Sequence, residues 1–350
     1  MTIPVMKPML AKHDDVAKYL KSMDLIRNYS NYGPFVRTLE ERYALFFDVA
    51  PNRVVCSANA TLALFGACTL DESESIIVPS FTFPATIQAA IASHKKIIIS
   101  DIDPSTWMLP EDEIKDKSRI VVLPFGSKGK FELDSTGTAF RIVDAAASIG
   151  NFENNLGKMS QNEVIIFSLH ATKILGLGEG AISVFGSDEL ASQFRSWINF
   201  GFAGTRNSVH IGINAKMSEI SAAYGLAALD AWQSEKTDWL HINGLQHEIE
   251  QSLGISPYFS TPSNISPYWI VEFENEFVRD LTAKLLHLSK VDSRLWWEKG
   301  CHLMPAFKEF AKGDFPNTEA VANRILGLPK HRDLDESTLH LIDEIFSTVF

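Results

Sequence analysis

The stretch VIIFSLHATKILGLGEGAISVF, Val164 to Phe185, holds two runs of β-branched and apolar residues, Val164 to Ser168 and Ala181 to Phe185. A lysine-bearing turn punctuated by Gly176, Gly178 and Gly180 separates them. Continuous apolar runs of this length suit strands buried on both faces. Upstream the same signal recurs at Ile76 to Pro79, Lys96 to Ser100, Ile120 to Pro124 and Arg141 to Asp144. Between these runs, Ala85 to Ser93 suits a packed helix and Glu111 to Lys117 a short polar one. Strand alternating with helix predicts an α/β fold with a mostly parallel sheet flanked by helices.

Downstream, SEISAAYGLAAL (Ser218 to Leu229) is rich in Ala and free of Pro, a good helix by propensity that closes a large domain. A long charged and aromatic segment follows to about Glu250, and Gly254 to Pro267 reads as a turn region. The alternation in YWIVEFEN, from Tyr268, predicts a strand with one exposed face in a smaller C-terminal α+β domain. The boundaries that follow are 1–230 for the large domain and 231–350 for the small one, with the N-terminal segment able to pack on the latter.

Composition narrows the function classes. The chain has 350 residues, 45% hydrophobic and 21% charged, and is an ordinary globular protein by these values. A formal charge of −11 and the lack of any run of Lys and Arg argue against a nucleic-acid partner. No stretch has the roughly 20 apolar residues of a membrane helix, and MTIPVMKPML lacks the pattern of a signal peptide. Cys56, Cys68 and Cys301 are too scattered for a disulfide framework or a CxxC metal site and read as small buried hydrophobes. The expectation is a cytoplasmic protein with no metal and no membrane association.

Ligands of an open parallel sheet gather at the carboxyl ends of its strands. Asp144 ends the run RIVD and is followed by Ala145, Ala146 and Ala147, a setting in which a carboxylate is costly unless a cation pairs with it. Lys173, in FSLHATK, lies where partial desolvation would release a neutral amine for Schiff-base chemistry, although taken by itself it reads first as a surface lysine. NATLAL, Asn59 to Leu64, offers backbone N–H groups to a phosphate or is a plain helix cap by Asn59. Together a helix start, a strand-end Asp and a downstream Lys are what a pyridoxal phosphate site requires. No zinc spacing, Ser-His-Asp elbow or P-loop is visible, and the glycines after Lys173 lack the strand-GxGxxG-helix order of a nicotinamide site.

The order GPFVRTLEE (Gly33 to Glu41), NATLAL, VPSFTFPAT (Val78 to Thr86), DIDPSTW (Asp101 to Trp107), VDAAAS (Val143 to Ser148), FSLHATK with GEGA, and IGIN with KMSE (Ile211 to Glu219) resembles the sugar aminotransferases of the DegT/StrS group. These belong to fold type I of the aspartate aminotransferase superfamily. The resemblance continues through DSRLWW (Asp292 to Trp297), MPAFKEF (Met304 to Phe310) and GLPKHRDL (Gly327 to Leu334), and so covers nearly the whole chain. It implies that Lys173 forms the Schiff base with pyridoxal phosphate and that Asp144 pairs with the pyridine nitrogen. It further implies that Phe83 lies over the cofactor and that Ala60, Thr61 and Ser168 hold the phosphate. Asn214 would reach the phosphate of the neighbouring subunit, which implies a homodimer with shared active sites.

This chain departs from the family pattern at four places. Ala60 replaces the usual Gly, which requires a negative φ. Ala147 replaces a Gln that bonds the cofactor hydroxyl, so that bond is absent or is made by water or Ser148, and Lys216 replaces an Arg. The segment from Phe125 to Phe140 looks shortened. His170 is a contact to cofactor or sugar, or a structural hydrogen-bonding residue. Arg206 and Lys216 bind the donor carboxylate or the sugar diphosphate, or lie on the surface. Trp296 and Trp297 flank the sugar or belong to the core.

The resemblance implies transamination in two stages, with glutamate as donor, pyridoxamine phosphate as the intermediate form of the cofactor and a nucleotide-linked 4-keto-6-deoxy sugar as acceptor. The best-matching reaction takes dTDP-4-keto-6-deoxyglucose to dTDP-4-amino-4,6-dideoxyglucose, for surface polysaccharide such as the O-antigen of lipopolysaccharide. The alternatives are amination of a 3-keto sugar, a sugar dehydratase using the same cofactor, and a non-catalytic regulator. The dehydratases carry His at the lysine position, so Lys173 argues against them.

Overall fold

The computed structural model describes residues 2–127, 131–134, 137–255 and 261–349. Parts of the segment from Phe125 to Phe140 and of the turn region from Gly254 to Pro267 therefore lie outside the described residues. Helices α1 (His13–Ile26) and α2 (Pro34–Phe47) precede β1 (Val54–Ser57), α3 (Ala60–Leu70), β2 (Ser75–Pro79), α4 (Pro84–Ala92) and β3 (Lys96–Ser100). The chain continues through α5 (Glu111–Ile114), β4 (Arg119–Val122), β5 (Arg141–Asp144), β6 (Glu163–Ser168), β7 (Ala181–Phe185) and α6 (Asp188–Trp197). Helix α7 (Glu219–Ser252) leads to β8 (Trp269–Glu272), α8 (Glu276–Leu288), α9 (Pro316–Ala322), β9 (Ile325–Leu328) and α10 (Glu336–Ser347).

All six expected strands form, together with β1, which the sequence did not announce. The seven strands make one sheet in the order β1-β7-β6-β5-β4-β2-β3. The pairs between β6 and β3 are parallel, whereas β7 runs antiparallel to both β6 and β1. Successive side chains of a strand point to opposite faces, and both faces here are apolar. Cys56, Val121, Val143, Ile165 and Phe167 pack with Leu39 of α2 and Leu226 of α7. Val55, Ile120, Ile142, Val164 and Ile166 pack with Leu64 of α3 and Ile87 of α4. The continuous apolar runs of β2 and of β4 to β7 follow from this two-sided burial; β3, at the edge of the sheet, departs from the expectation, with Lys96 and Ile98 exposed on one face. All three cysteines are buried and free, as expected.

The two ends of the sheet differ in character. At the amino ends of β4, β5 and β6, Arg119, Arg141 and Glu163 lie in register. Arg141 bonds Glu163 Oε1 and Glu111 Oε2, each at 2.5 Å. Burial pushes the Glu163 carboxyl up to about 7 against the pull of Arg141. This ionic network closes that end, and the carboxyl ends carry the candidate residues.

Two further elements differ from expectation. The helix begun by Ser218 runs for 34 residues, well past Leu229, because no Pro interrupts the charged segment and Trp232, Trp239 and Ile242 bury its inner side. Strand β8 has no exposed face at its apolar positions: Trp269 and Val271 pack with α8 and α10, while Ile270 packs with Phe81, Trp107 and Phe125. Among the described residues no helix is long and apolar enough to cross a membrane.

Candidate active site

Glu219 and Gly33 fix the frame of the site. The Glu219 carboxylate accepts from the backbone N–H groups of Phe35 (2.7 Å) and Val36 (3.3 Å), capping the start of α2. A Cβ on Gly33 would meet that carboxyl carbon at 2.6 Å, so a side chain there would have to displace the buried carboxylate. The motifs GPFVRTLEE and KMSE are thus two halves of one contact.

Across the sheet, Ala181 pairs with both Ser168 and Ser57, which sets the ends of β6, β7 and β1 side by side. Helix α3 starts just beyond β1, and Asn59 caps it by accepting from Leu62 N–H at 2.9 Å. The first N–H groups of a helix have no intrahelical partner, so those of Ala60 and Thr61 are disposed for an anion. Ala60 has a negative φ, the condition under which alanine can replace glycine. Ser168 is buried, and its hydroxyl accepts from His170 N–H at 3.2 Å.

Asp144 stands one strand away and is buried. Burial raises its carboxyl above the usual value, opposed by the Thr86 hydroxyl, the Ala146 N–H and the charge of Lys173. Thr86 Oγ1 donates to Asp144 Oδ2 at 2.7 Å and is itself bonded to Thr82 Oγ1 at 2.7 Å. Phe83 occupies the N-cap position of α4, the helix that carries Thr86, and is 55% exposed.

Lys173 sits in the turn beyond β6, held by Lys173 N–H to His170 O (2.9 Å) and Gly176 N–H to Lys173 O (3.1 Å). Its amine donates to the Tyr268 hydroxyl at 2.6 Å. Tyr268 packs edge-on against Phe125 and Trp296, and Trp297 stacks on Phe125 at 4.7 Å. The two tryptophans therefore belong to an aromatic wall next to the lysine. Thr86 and Tyr268 escaped sequence reasoning. Thr86 closes the quoted motif VPSFTFPAT, and its helical position two residues past Pro84 was the available signal; nothing local marks Tyr268.

The remaining candidates are His170, Asn214, Lys216 and Arg206. His170 bonds the Thr172 hydroxyl at 2.9 Å and lies 3.8 Å from Glu179, half-exposed. Asn214 is exposed and accepts from Lys216 Nζ at 2.7 Å; Lys216 also lies 4.6 Å from the centre of the Phe200 ring. Burial lowers the Lys216 amine below its ordinary value. Their segment pairs beside β1, with Ala58 N–H bonded to Ala215 O at 2.8 Å. Arg206 is exposed in the loop that follows Gly201. Ala147 and Ser148 are both buried. Among the described residues no group of His, Cys, Asp and Glu could hold a metal ion.

The residues fit pyridoxal phosphate: a helix start and a serine hydroxyl for the phosphate, a buried carboxylate for a ring nitrogen, an exposed aromatic ring and a tethered amine. The sheet defines the class, that of fold type I aminotransferases. A crystal structure of a putative PLP-dependent aminotransferase from Bacillus cereus superposes with a TM-score of 0.88 at 26% identity, covering 99% of this chain and 100% of that one. The structure of DesI in the presence of its TDP-sugar product gives a TM-score of 0.85 at 26% identity, over 99% and 92% of the two chains.

The chain belongs to the DegT/DnrJ/EryC1/StrS aminotransferase family, whose pattern matches residues 12–347. It is 24% identical to the dTDP-4-amino-4,6-dideoxy-D-glucose transaminase of Shigella dysenteriae, over 97% of this chain and 96% of that protein. It is 25% identical to the UDP-2-acetamido-2-deoxy-3-oxo-D-glucuronate aminotransferase of Pseudomonas aeruginosa, over 89% of each.

Proposed function

We propose that this protein is a pyridoxal-phosphate-dependent aminotransferase that transfers nitrogen from glutamate to a nucleotide-linked 4-keto-6-deoxy sugar, dTDP-4-keto-6-deoxyglucose being the best match. The observation that carries the reading is the convergence of Lys173 and buried Asp144 at the carboxyl ends of adjacent strands, close enough that the charge of Lys173 acts on the Asp144 carboxyl. Pyridoxal phosphate, when bound, supplies an electron sink for the carbon next to the migrating nitrogen.

The residues act around that sink. Asp144 keeps the ring nitrogen protonated through a charge-assisted hydrogen bond, a class worth about 1.5–3 kcal/mol. The free amine of Lys173 withdraws the proton from the donor Cα in the first stage. In the second it delivers one to the sugar carbon that receives the nitrogen. Ala60 and Thr61 N–H with the Ser168 hydroxyl bind the phosphate, and Phe83 covers the ring. The net exchange is balanced: the donor becomes a 2-keto acid and the keto sugar an amino sugar.

Asn214 and Lys216 act on the partner's site in a homodimer. In support, Asn214 is exposed in the single chain, and the neighbouring Phe200, Val209 and Ile211 are exposed apolar residues, Ile211 at 94%. Such a patch calls for a partner surface. The relatives' names support a nucleotide-linked sugar acceptor, with both 4-amino and 3-oxo sugars among them.

The reading is tested by incubating the purified protein with pyridoxal phosphate, glutamate and a panel of dTDP- and UDP-linked keto sugars, then identifying products by mass spectrometry. An amino sugar with equimolar 2-oxoglutarate is the expected result. No nitrogen transfer to any keto sugar would overturn it.

A further inference from the structure

We propose that Tyr268 is a positioning residue for Lys173, holding the lysine amine through its hydroxyl whenever that amine is not covalently engaged. The proposal rests on the reading of Lys173 given above. Among the described residues, the Tyr268 hydroxyl is the hydrogen-bond partner of Lys173 Nζ, at 2.6 Å. Fixing a lysine side chain costs rotamer freedom, and a hydrogen bond of that length helps to offset the cost. Without such a tether, an amine released when the donor takes its place would sample several rotamers and spend little time beside the carbon it must deprotonate.

The anchor is rigid. Tyr268 N–H donates to Ser266 Oγ at 3.0 Å, and Ser266 Oγ in turn donates to Phe125 O at 2.5 Å. The Tyr268 ring is braced edge-on by Phe125 (5.8 Å) and Trp296 (5.5 Å). Tyr268 directly precedes β8 of the two-stranded sheet, whereas Lys173 follows β6 of the seven-stranded one. The hydroxyl therefore ties the reactive amine to the other sheet, and any shift between the two sheets is felt at Lys173.

The test uses Tyr268→Phe, which removes the hydroxyl and keeps the ring packing. In the cofactor-free full-length protein, acetylation of each lysine by acetic anhydride is followed at fixed pH by peptide mass spectrometry. Exposed Lys96 serves as the reactivity reference, and buried Lys330 reports any general loosening. The expected result is a rise of about tenfold in Lys173 labelling relative to Lys96, the loss of one charged hydrogen bond, with Lys330 still protected. In the loaded enzyme kcat falls while the KM for the amino donor stays within twofold. Lys173 labelling within twofold of the unsubstituted protein, or a rise shared by Lys330, would overturn the proposal. A Lys173 response in a protein that transfers no nitrogen would leave Tyr268 in its role and overturn the functional reading instead.

Discussion

The Thr86 hydroxyl donates to the buried carboxylate of Asp144 at 2.7 Å, so the group that would meet a ring nitrogen is oriented from behind by the helix that presents Phe83. Thr86→Val keeps the shape and removes the donor. Leaving a buried carboxylate short of one partner costs about 1–3 kcal/mol. Urea denaturation of the cofactor-free variant is expected to show a loss in that range, and an unchanged midpoint would show that the hydroxyl contributes nothing.

Asp144→Asn separates stability from chemistry. Burial raises the Asp144 carboxyl above its ordinary value of 3.8. The folded state then binds more protons than the unfolded one as pH rises above 3.8, so this group's contribution to stability falls across that window. The cofactor-free Asn variant is expected to gain stability relative to the unsubstituted protein as pH is raised from about 4 to 7. Its turnover with cofactor is expected to fall by about tenfold to a hundredfold, the loss of one charged hydrogen bond at the ring nitrogen. Paired denaturation and rate measurements check both.

Lys330 gives a second pH signature, from a buried amine that lines the same cavity as Lys173. Burial pulls its amine down to about 7 from 10.5, against the attraction of Glu250, and its Nζ donates to Asn243 Oδ1 at 2.5 Å. Between those values the unfolded chain holds a proton that the folded chain has released, so stability rises with pH. Lys330→Met should flatten that rise. Equal slopes for the two proteins in denaturation from about pH 7 to pH 10 would contradict the assignment.

Gly33→Ala tests the joint between α2 and α7. The added Cβ would lie 2.6 Å from the Glu219 carboxyl carbon, and moving that carboxylate uncaps Phe35 and Val36. A loss of about 2 kcal/mol or more is expected in thermal or urea unfolding, one unmade buried bond or two. A neutral substitution would mean that the cap adapts freely.

The strands most legible in the sequence were those buried on both faces, such as Ile142 and Val143 of β5, because two-sided burial leaves an uninterrupted apolar run. Strand β1 was missed: after Val54 and Val55 the run passes to Cys56 and Ser57, which carry no β-branched signal, and it lies between a short 3-10 turn and the Asn59 cap. The reversal of β7 was hidden, since a turn of a dozen residues between Ser168 and Ala181 permits either direction. Of the candidate site, Asp144 stood out because it ends a strand-like run, and Lys173 because it lies in the glycine-punctuated turn beyond one. Tyr268 was not, as its approach to Lys173 depends on packing across 95 residues of chain. The expected one-sided exposure of β8 failed because the Phe81, Trp107 and Phe125 cluster covers the face that alternation left open.

The most direct test of the central claim, that Lys173 is the residue that bonds pyridoxal phosphate, is borohydride trapping of the loaded protein followed by peptide mapping, with the visible spectrum recorded before and after glutamate. The expected result is a yellow protein whose colour bleaches with glutamate and whose trapped phosphopyridoxyl group maps to Lys173, with neither colour nor adduct in Lys173→Ala. A group trapped on another lysine, or a Lys173→Ala variant that still colours and turns over, would contradict it.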